Sequence, residues 1–241
     1  MNKCKLCNTQ TKLIKRSHLY PEFLYKNFYN NIHKIEQFYF NEIENKNIRR
    51  KSPSLGYYEK DLFCENCETK VLSTYETYIS RILTNTNKNI LRKYLKEEKL
   101  FLIENLDYLK IKKFILSILY KFHVSNSEYF NFQLDQTIAE DIRKFILNKN
   151  SSLDKLIDDR LFQINIFKFK KDSIFNKVIV IPESHSNNIY TIIAKGYLVY
   201  ISASIENPVS MDRLKNEGSI KIGIISEKFE KTIYDSLVVS T

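Results

Sequence analysis

Three observations predict an α+β fold. All four cysteines lie within the first 67 residues, as two Cys-x-x-Cys pairs. The middle third carries apolar residues at helical spacing. The last third is a series of short runs rich in β-branched residues. The expected order is a Cys-rich N-terminal module over residues 1–95, a helical region over 96–161 and an antiparallel β-rich region over 162–241. A chain of 241 residues is long enough to bury a real core without disulfides.

The elements follow in order. Pro21 suits a first helical turn, and the apolar spacing from Glu22 to Tyr29 predicts a short amphipathic helix. Residues 35–58 read as a loop or hairpin, with Phe38, Tyr39 and Phe40 and then the basic run Arg49-Arg50-Lys51 before Pro53 and Gly56. Leu72, Tyr75, Ile79, Ile82 and Leu83 predict a helix from near Glu65 to about Leu83. From Leu106 to Phe122 a wide apolar face predicts a second helix. Asp135 is placed to cap a third, running to Leu147 with Ile138, Ile142, Phe145 and Ile146 buried, and Ser152–Leu161 adds a fourth. Strands are expected near Gln163–Lys170, Val178–Ile181, Ile189–Ala194, Tyr197–Ser202 and Ile220–Ile225, with Lys195-Gly196 as a hairpin turn.

Composition narrows the function. With 38 Lys+Arg against 28 Asp+Glu the net charge is +10, and the pI is about 9.2. That balance favours a polyanionic partner, nucleic acid first. The Asn/Lys/Ile-heavy usage is also the bias of an AT-rich genome, which raises lysine everywhere. Hydrophobic residues at 43% and aromatic residues at 13% exclude a disordered chain. Only four glycines are present, with no GxGxxG and no Walker loop. No window reaches the ~18 apolar residues of a membrane span. The polar, charged start predicts no signal peptide, so a cytoplasmic protein with no membrane partner is expected.

Cysteine pairs in a reducing compartment point to metal rather than to disulfides. Cys4, Cys7, Cys64 and Cys67 supply two knuckles, enough for a closed tetrahedral zinc site. Such a site is structural, because no position remains for water or substrate. The gap between the pairs far exceeds the ~15–20 residues of a compact ribbon, so something must fold within it.

The residues beside the knuckles carry a resemblance. After the first pair comes Lys15-Arg16-Ser17-His18-Leu19-Tyr20-Pro21, and the second reads Asp61-Leu62-Phe63-Cys64-Glu65-Asn66-Cys67-Glu68-Thr69-Lys70. Residues 4–80 resemble the zinc-stabilised branch of the HNH nucleases, the ββα-metal fold. The resemblance implies hydrolysis of phosphodiester bonds in DNA or RNA, and a setting in bacterial or phage conflict. By position, His18 falls on the general base, Asp61 on the residue that orients it, and Glu68 on a ligand of a catalytic Mg²⁺ or Mn²⁺ ion. Ser17 falls on the family's other metal ligand. Lys15, Arg16, Arg49, Arg50, Lys51 and Lys70 lie close in sequence to that site and would hold the nucleic-acid backbone.

The alternative is a zinc-containing module without catalysis that grips nucleic acid or a protein. Ser17, a poor metal ligand, supports it. Glu68 would then be a first-turn carboxylate favoured by the helix macrodipole, and His18 a structural residue. Residues 162–241 could also carry a protein partner or self-association by strand-edge pairing.

Overall fold

The computed structural model describes residues 2–26, 58–84, 86, 89–127, 132–147, 162–185, 188–203 and 218–239. Phe38–Phe40, Arg49, Arg50, Lys51 and the expected helix at 152–161 lie outside them. Two pairs of two-residue strands open the fold. β1 (Asn2–Lys3) pairs antiparallel with β2 (Gln10–Thr11), and β3 (Ser17–His18) with β4 (Tyr58–Glu59). In place of an amphipathic helix after Pro21, the described residues form one 3₁₀ turn, Glu22–Leu24. A helix then begins as a π-helical stretch, Cys67–Leu72, and continues as α1 (Ser73–Leu83).

The large sheet has seven strands in the order β5-β6-β11-β7-β10-β9-β8. These are β5 (Leu91–Leu95), β6 (Leu100–Glu104), β7 (Gln163–Lys168), β8 (Ile179–His185), β9 (Ile189–Ala194), β10 (Tyr197–Ser202) and β11 (Ile220–Ile224). The expectation of an antiparallel C-terminal sheet is corrected in two ways. The sheet is mixed, because β11 pairs parallel with β7. It also recruits the β5–β6 hairpin from residues expected to be helical or to precede the helices. The segment Leu91-Arg-Lys-Tyr-Leu-Lys-Glu-Glu-Lys-Leu100 has good helix formers and no Gly, Pro or Asn at its turn. Lys99 instead takes the left-handed conformation, φ 50°, to close it. Pairing of Ile103 with Ile220 on β11 outweighs that local preference.

The β9–β10 hairpin forms at the predicted turn. Lys195 and Gly196 have φ of 52° and 77°, two successive left-handed residues as the twist of a tight hairpin requires. A Cβ at Gly196 would lie 2.1 Å from Asn176 Oδ1.

Strand alternation divides the core. Ile164 and Ile166 of β7, Ile192 of β9 and Ile222 of β11 pack in the main core with α2 (Tyr108–His123) and α3 (Gln136–Leu147). Phe167, Ile193 and Leu198 face the other way, under the C-terminal helix α4 (Glu227–Val239), whose Leu237 is buried with them. Sequence periodicity had not marked α4. Asp107 caps α2 by accepting from Lys110 N–H, and Asp135 caps α3 as expected, accepting from Thr137 and Ile138 N–H.

α2 is buried from Ile111 to Phe122. A helix covered all round needs a partner for every polar group. Tyr120 Oη donates to the Lys5 carbonyl at 2.6 Å, and Arg143 Nη1 of α3 donates to the Leu6 carbonyl at 2.8 Å. Tyr20, also fully buried, donates to the Val180 carbonyl at 2.7 Å. The α2 and α3 helices thereby hold the N-terminal turn, and the sheet holds the chain just after β3.

Tyr120→Phe should lower unfolding free energy by about 1–2 kcal/mol, because it strands the Lys5 carbonyl. Tyr94→Phe on the exposed edge strand should change it by less than about 0.5 kcal/mol. Urea denaturation of the two variants checks the contrast.

Candidate functional site

The first knuckle is the turn Cys4-Lys5-Leu6-Cys7-Asn8. Asn8 sits at φ 62°, a conformation that Asn tolerates better than most residues, and its N–H donates to the Cys4 carbonyl. The second is Cys64–Cys67, entered through Asp61 at φ 58°. Backbone bonds join the two. Lys5 N–H donates to Leu62 O and Ile14 N–H to Phe63 O, each at 2.9 Å. The four Sγ atoms lie within 4.8 Å of one another, and no disulfide forms among them. Cys7 and Cys64 Sγ are 3.8 Å apart. Zinc–sulfur bonds of about 2.3 Å place tetrahedral ligands about 3.8 Å from each other, so the donor set fits a zinc ion.

The electrostatics suit a cation there. Cys4 is lowered to about 4, first by a hydrogen bond from Cys67 and also by backbone N–H groups. The same bond and burial push Cys67 up, and burial pushes Cys64 up. One thiolate accepts from its neighbours, and a second would face it across a dry site. A bound metal removes this conflict and lets all four sulfurs ionise.

Beside this cluster the chain runs strand, strand, helix. β3 and β4 pair with Ser17 opposite Glu59 and His18 opposite Tyr58. The π-helical stretch then carries Glu68 against β3. The Glu68 carboxyl lies beside the His18 backbone N–H and the Ser17 hydroxyl, both of which favour its charged form. Yet Ser17 Oγ and Glu68 Oε2 are buried without an aligned hydrogen-bond partner. Ser17 is 0% exposed and His18 half-buried. Burial pushes Glu68 above the usual carboxylate range, with Glu76 adding to it and Lys121 opposing.

Lys121 was not foreseen as a site residue. Its ammonium, 1% exposed, reaches from α2 to Glu76 Oε1 of α1 at 2.5 Å. It also acts on His18. Burial first, and then Lys121, hold that imidazole below its ordinary value, against the pull of Glu76 and Glu22. The only sequence signal was a lysine ending an apolar helical run. His18 is therefore neutral near pH 7, as a proton acceptor must be.

The other expected residues divide. Asp61 is exposed on the loop before Cys64; its N–H donates to the Ile14 carbonyl, and its side chain makes no hydrogen bond to His18. The structure places Glu76 and Lys121 around His18 in its stead. Lys15, Arg16 and Lys70 are exposed, and the Arg16 guanidinium lies 4.8 Å from the centre of the Tyr58 ring. Arg49, Arg50 and Lys51 lie outside the described residues. Among the described residues, the four cysteines are the one group of three or more His, Cys, Asp or Glu ligand atoms close enough to share an ion. No helix among the described residues is long and apolar enough to cross a membrane.

No protein-family model, curated protein or solved structure matches the chain.

Elemental analysis should find about one zinc per chain, and Cys64→Ser should lose both the metal and cooperative unfolding. A second outcome concerns Lys121. Lys121→Met leaves Glu76 partly buried and unpaired, and should cost about 3–5 kcal/mol. The double variant Lys121→Met/Glu76→Gln should recover most of that. By NMR titration His18 should sit below the ordinary ~6.5 in the native protein and rise in Lys121→Met. The sign for stability follows: a depressed folded value gives stabilisation that is full above ~6.5 and lost as pH falls through the folded value.

Proposed function

We propose that the chain is a metal-dependent nuclease of the HNH type, hydrolysing phosphodiester bonds in DNA or RNA. One observation carries the reading. The sulfur-clustered strand–strand–helix unit brings the Glu68 carboxyl, at the start of its helix, beside the backbone N–H of His18 and the Ser17 hydroxyl on its first strand. The ββα-metal resemblance implies a His and an acid at these two places, and the approach of the two backbone segments supports that reading.

His18, neutral and half-buried, would accept a proton from the attacking water. Glu68 Oε2 and Ser17 Oγ are the buried oxygens left for a Mg²⁺ or Mn²⁺ ion. Such an ion, when bound, stabilises charge on the phosphate and the leaving oxygen. Exposed Lys15, Arg16 and Lys70 would hold the backbone, and the Arg16–Tyr58 pair presents a cation and a ring face together.

A second reading, a zinc-containing binding module without catalysis, is favoured by Lys121. Its ammonium already holds Glu76 and supplies a positive charge beside His18 and Glu68.

Purified protein with supercoiled plasmid and with RNA, in Mg²⁺ or Mn²⁺, separates the two. The nuclease reading expects cleavage reduced at least about a hundredfold by His18→Ala, with circular dichroism unchanged. Absence of cleavage with either metal, together with salt-sensitive binding that survives His18→Ala, would replace it with the binding module. Neither cleavage nor salt-sensitive binding would remove both.

A further inference from the structure

The layer of helices does not seal onto the large sheet everywhere. Between them lies a cavity of about 480 Å³, within the range of small-molecule sites. Its walls are apolar: Ile79 and Ile82 of α1, Phe114 and Ile118 of α2, and Ile192 and Val199 of the sheet among them. It has no part in the His18 site.

Its rim is of a different character. Arg92 and Lys168 line it, together with Tyr197. Arg92 is exposed on β5, the edge strand of the sheet, and Nη2 donates to the Ile82 carbonyl at the end of α1. Lys168 holds its ammonium 5.1 Å from the Phe101 ring centre and 5.7 Å from that of Tyr197. Ring contacts position a cation without neutralising it. Arg92 is near enough to Tyr197 to favour the phenolate, against the burial that pushes the phenol up. Among the described residues neither Arg92 nor Lys168 has a carboxylate partner, whereas the adjacent Lys93 is paired with Glu104 at 2.9 Å.

An apolar body ending at two uncompensated cations and a phenol is matched by an amphiphile of the opposite pattern. We propose that this cavity binds a small single-chain amphiphile with an anionic head, its tail between the sheet and α1–α2 and its head at Arg92 and Lys168. The tail gains burial against apolar side chains that line the cavity. The head supplies the charge that the rim lacks, and a guanidinium or ammonium forms its strongest hydrogen bonds with an oxyanion.

Titration calorimetry with three probes of equal tail, decanoate, decanol and decylammonium, tests this. Decanoate should bind with a negative heat-capacity change, decanol at least about tenfold more weakly and decylammonium more weakly still. Lys168→Gln should weaken decanoate about tenfold and leave decanol unchanged, and Arg92→Gln should act in the same direction. Val199→Trp fills the space and should abolish binding of all three. Failure of decanoate to bind the unaltered protein would overturn the proposal. Equal affinity for the three heads, or decanoate binding indifferent to Lys168→Gln, would do so too. Should Val199→Trp not fold, the comparison of heads and the Lys168→Gln result decide alone.

Discussion

Four thiols brought together in a dry corner of the protein cannot all lose their protons unless a cation joins them. The N-terminal fold depends on that constraint. Cys4 and Cys7 come from the first turn of the chain, Cys64 and Cys67 from the entrance to a helix 57 residues or more further on. A metal among the sulfurs would turn that separation into a fixed distance. With the ends of the segment so pinned, β3 and β4 would need only their two residues each to pair, a length that would not hold as an isolated hairpin. The knuckle in turn offers the Lys5 and Leu6 carbonyls to Tyr120 and Arg143, so the helical layer is registered against it.

α2 carries the consequences inward. It packs between α1, α3, the knuckle and the sheet, and still contains Lys112, Lys113 and Lys121 in its buried stretch. A buried lysine must find a counter-charge or lose its proton. For Lys121 the counter-charge is Glu76. Burying such a pair rarely adds net stability over apolar residues of the same volume, although breaking it is costly. Retention of the pair beside His18 is therefore more economically explained by what it does to the imidazole and to Glu68 than by stabilisation of the fold.

Legibility in the sequence followed the range of the determining interactions. The cysteine cluster could be read because thiolate chemistry and spacing are local signals. α3 and its Asp135 cap, and the Lys195-Gly196 turn, rest on neighbours a few residues away. The β5–β6 hairpin was not legible: its own residues prefer a helix, and it becomes two strands by pairing with β11, more than a hundred residues later. α4 was missed for a related reason, since its amphipathic face has meaning only once Phe167 and Leu198 are known to need covering. Asp61 shows the opposite failure. Position before the knuckle suggested that it orients His18, but a left-handed backbone at that residue sends it to the surface. Lys121 could not be assigned from spacing at all, because 45 residues separate it from Glu76.

The charge balance around His18 bears on what the site can hold. Two carboxyl groups, Glu68 and Glu76, share this corner with one buried ammonium. Glu76 is matched by Lys121, and burial raises Glu68 above the usual carboxylate range while Lys121 opposes the shift. Ser17 Oγ and Glu68 Oε2 remain as buried polar atoms without aligned partners. Unsatisfied buried oxygens cost about 1–3 kcal/mol each, and a fold retains them only where something offsets the cost. A divalent ion would offset it by displacing the Glu68 proton, whereas a phosphate oxygen would do so by accepting that proton in a hydrogen bond. Both occupants belong to the chemistry of nucleic-acid backbones, and they draw on opposite protonation states of Glu68. On the proposed readings, catalysis and binding would differ physically in the state of one carboxyl group rather than in the architecture around it.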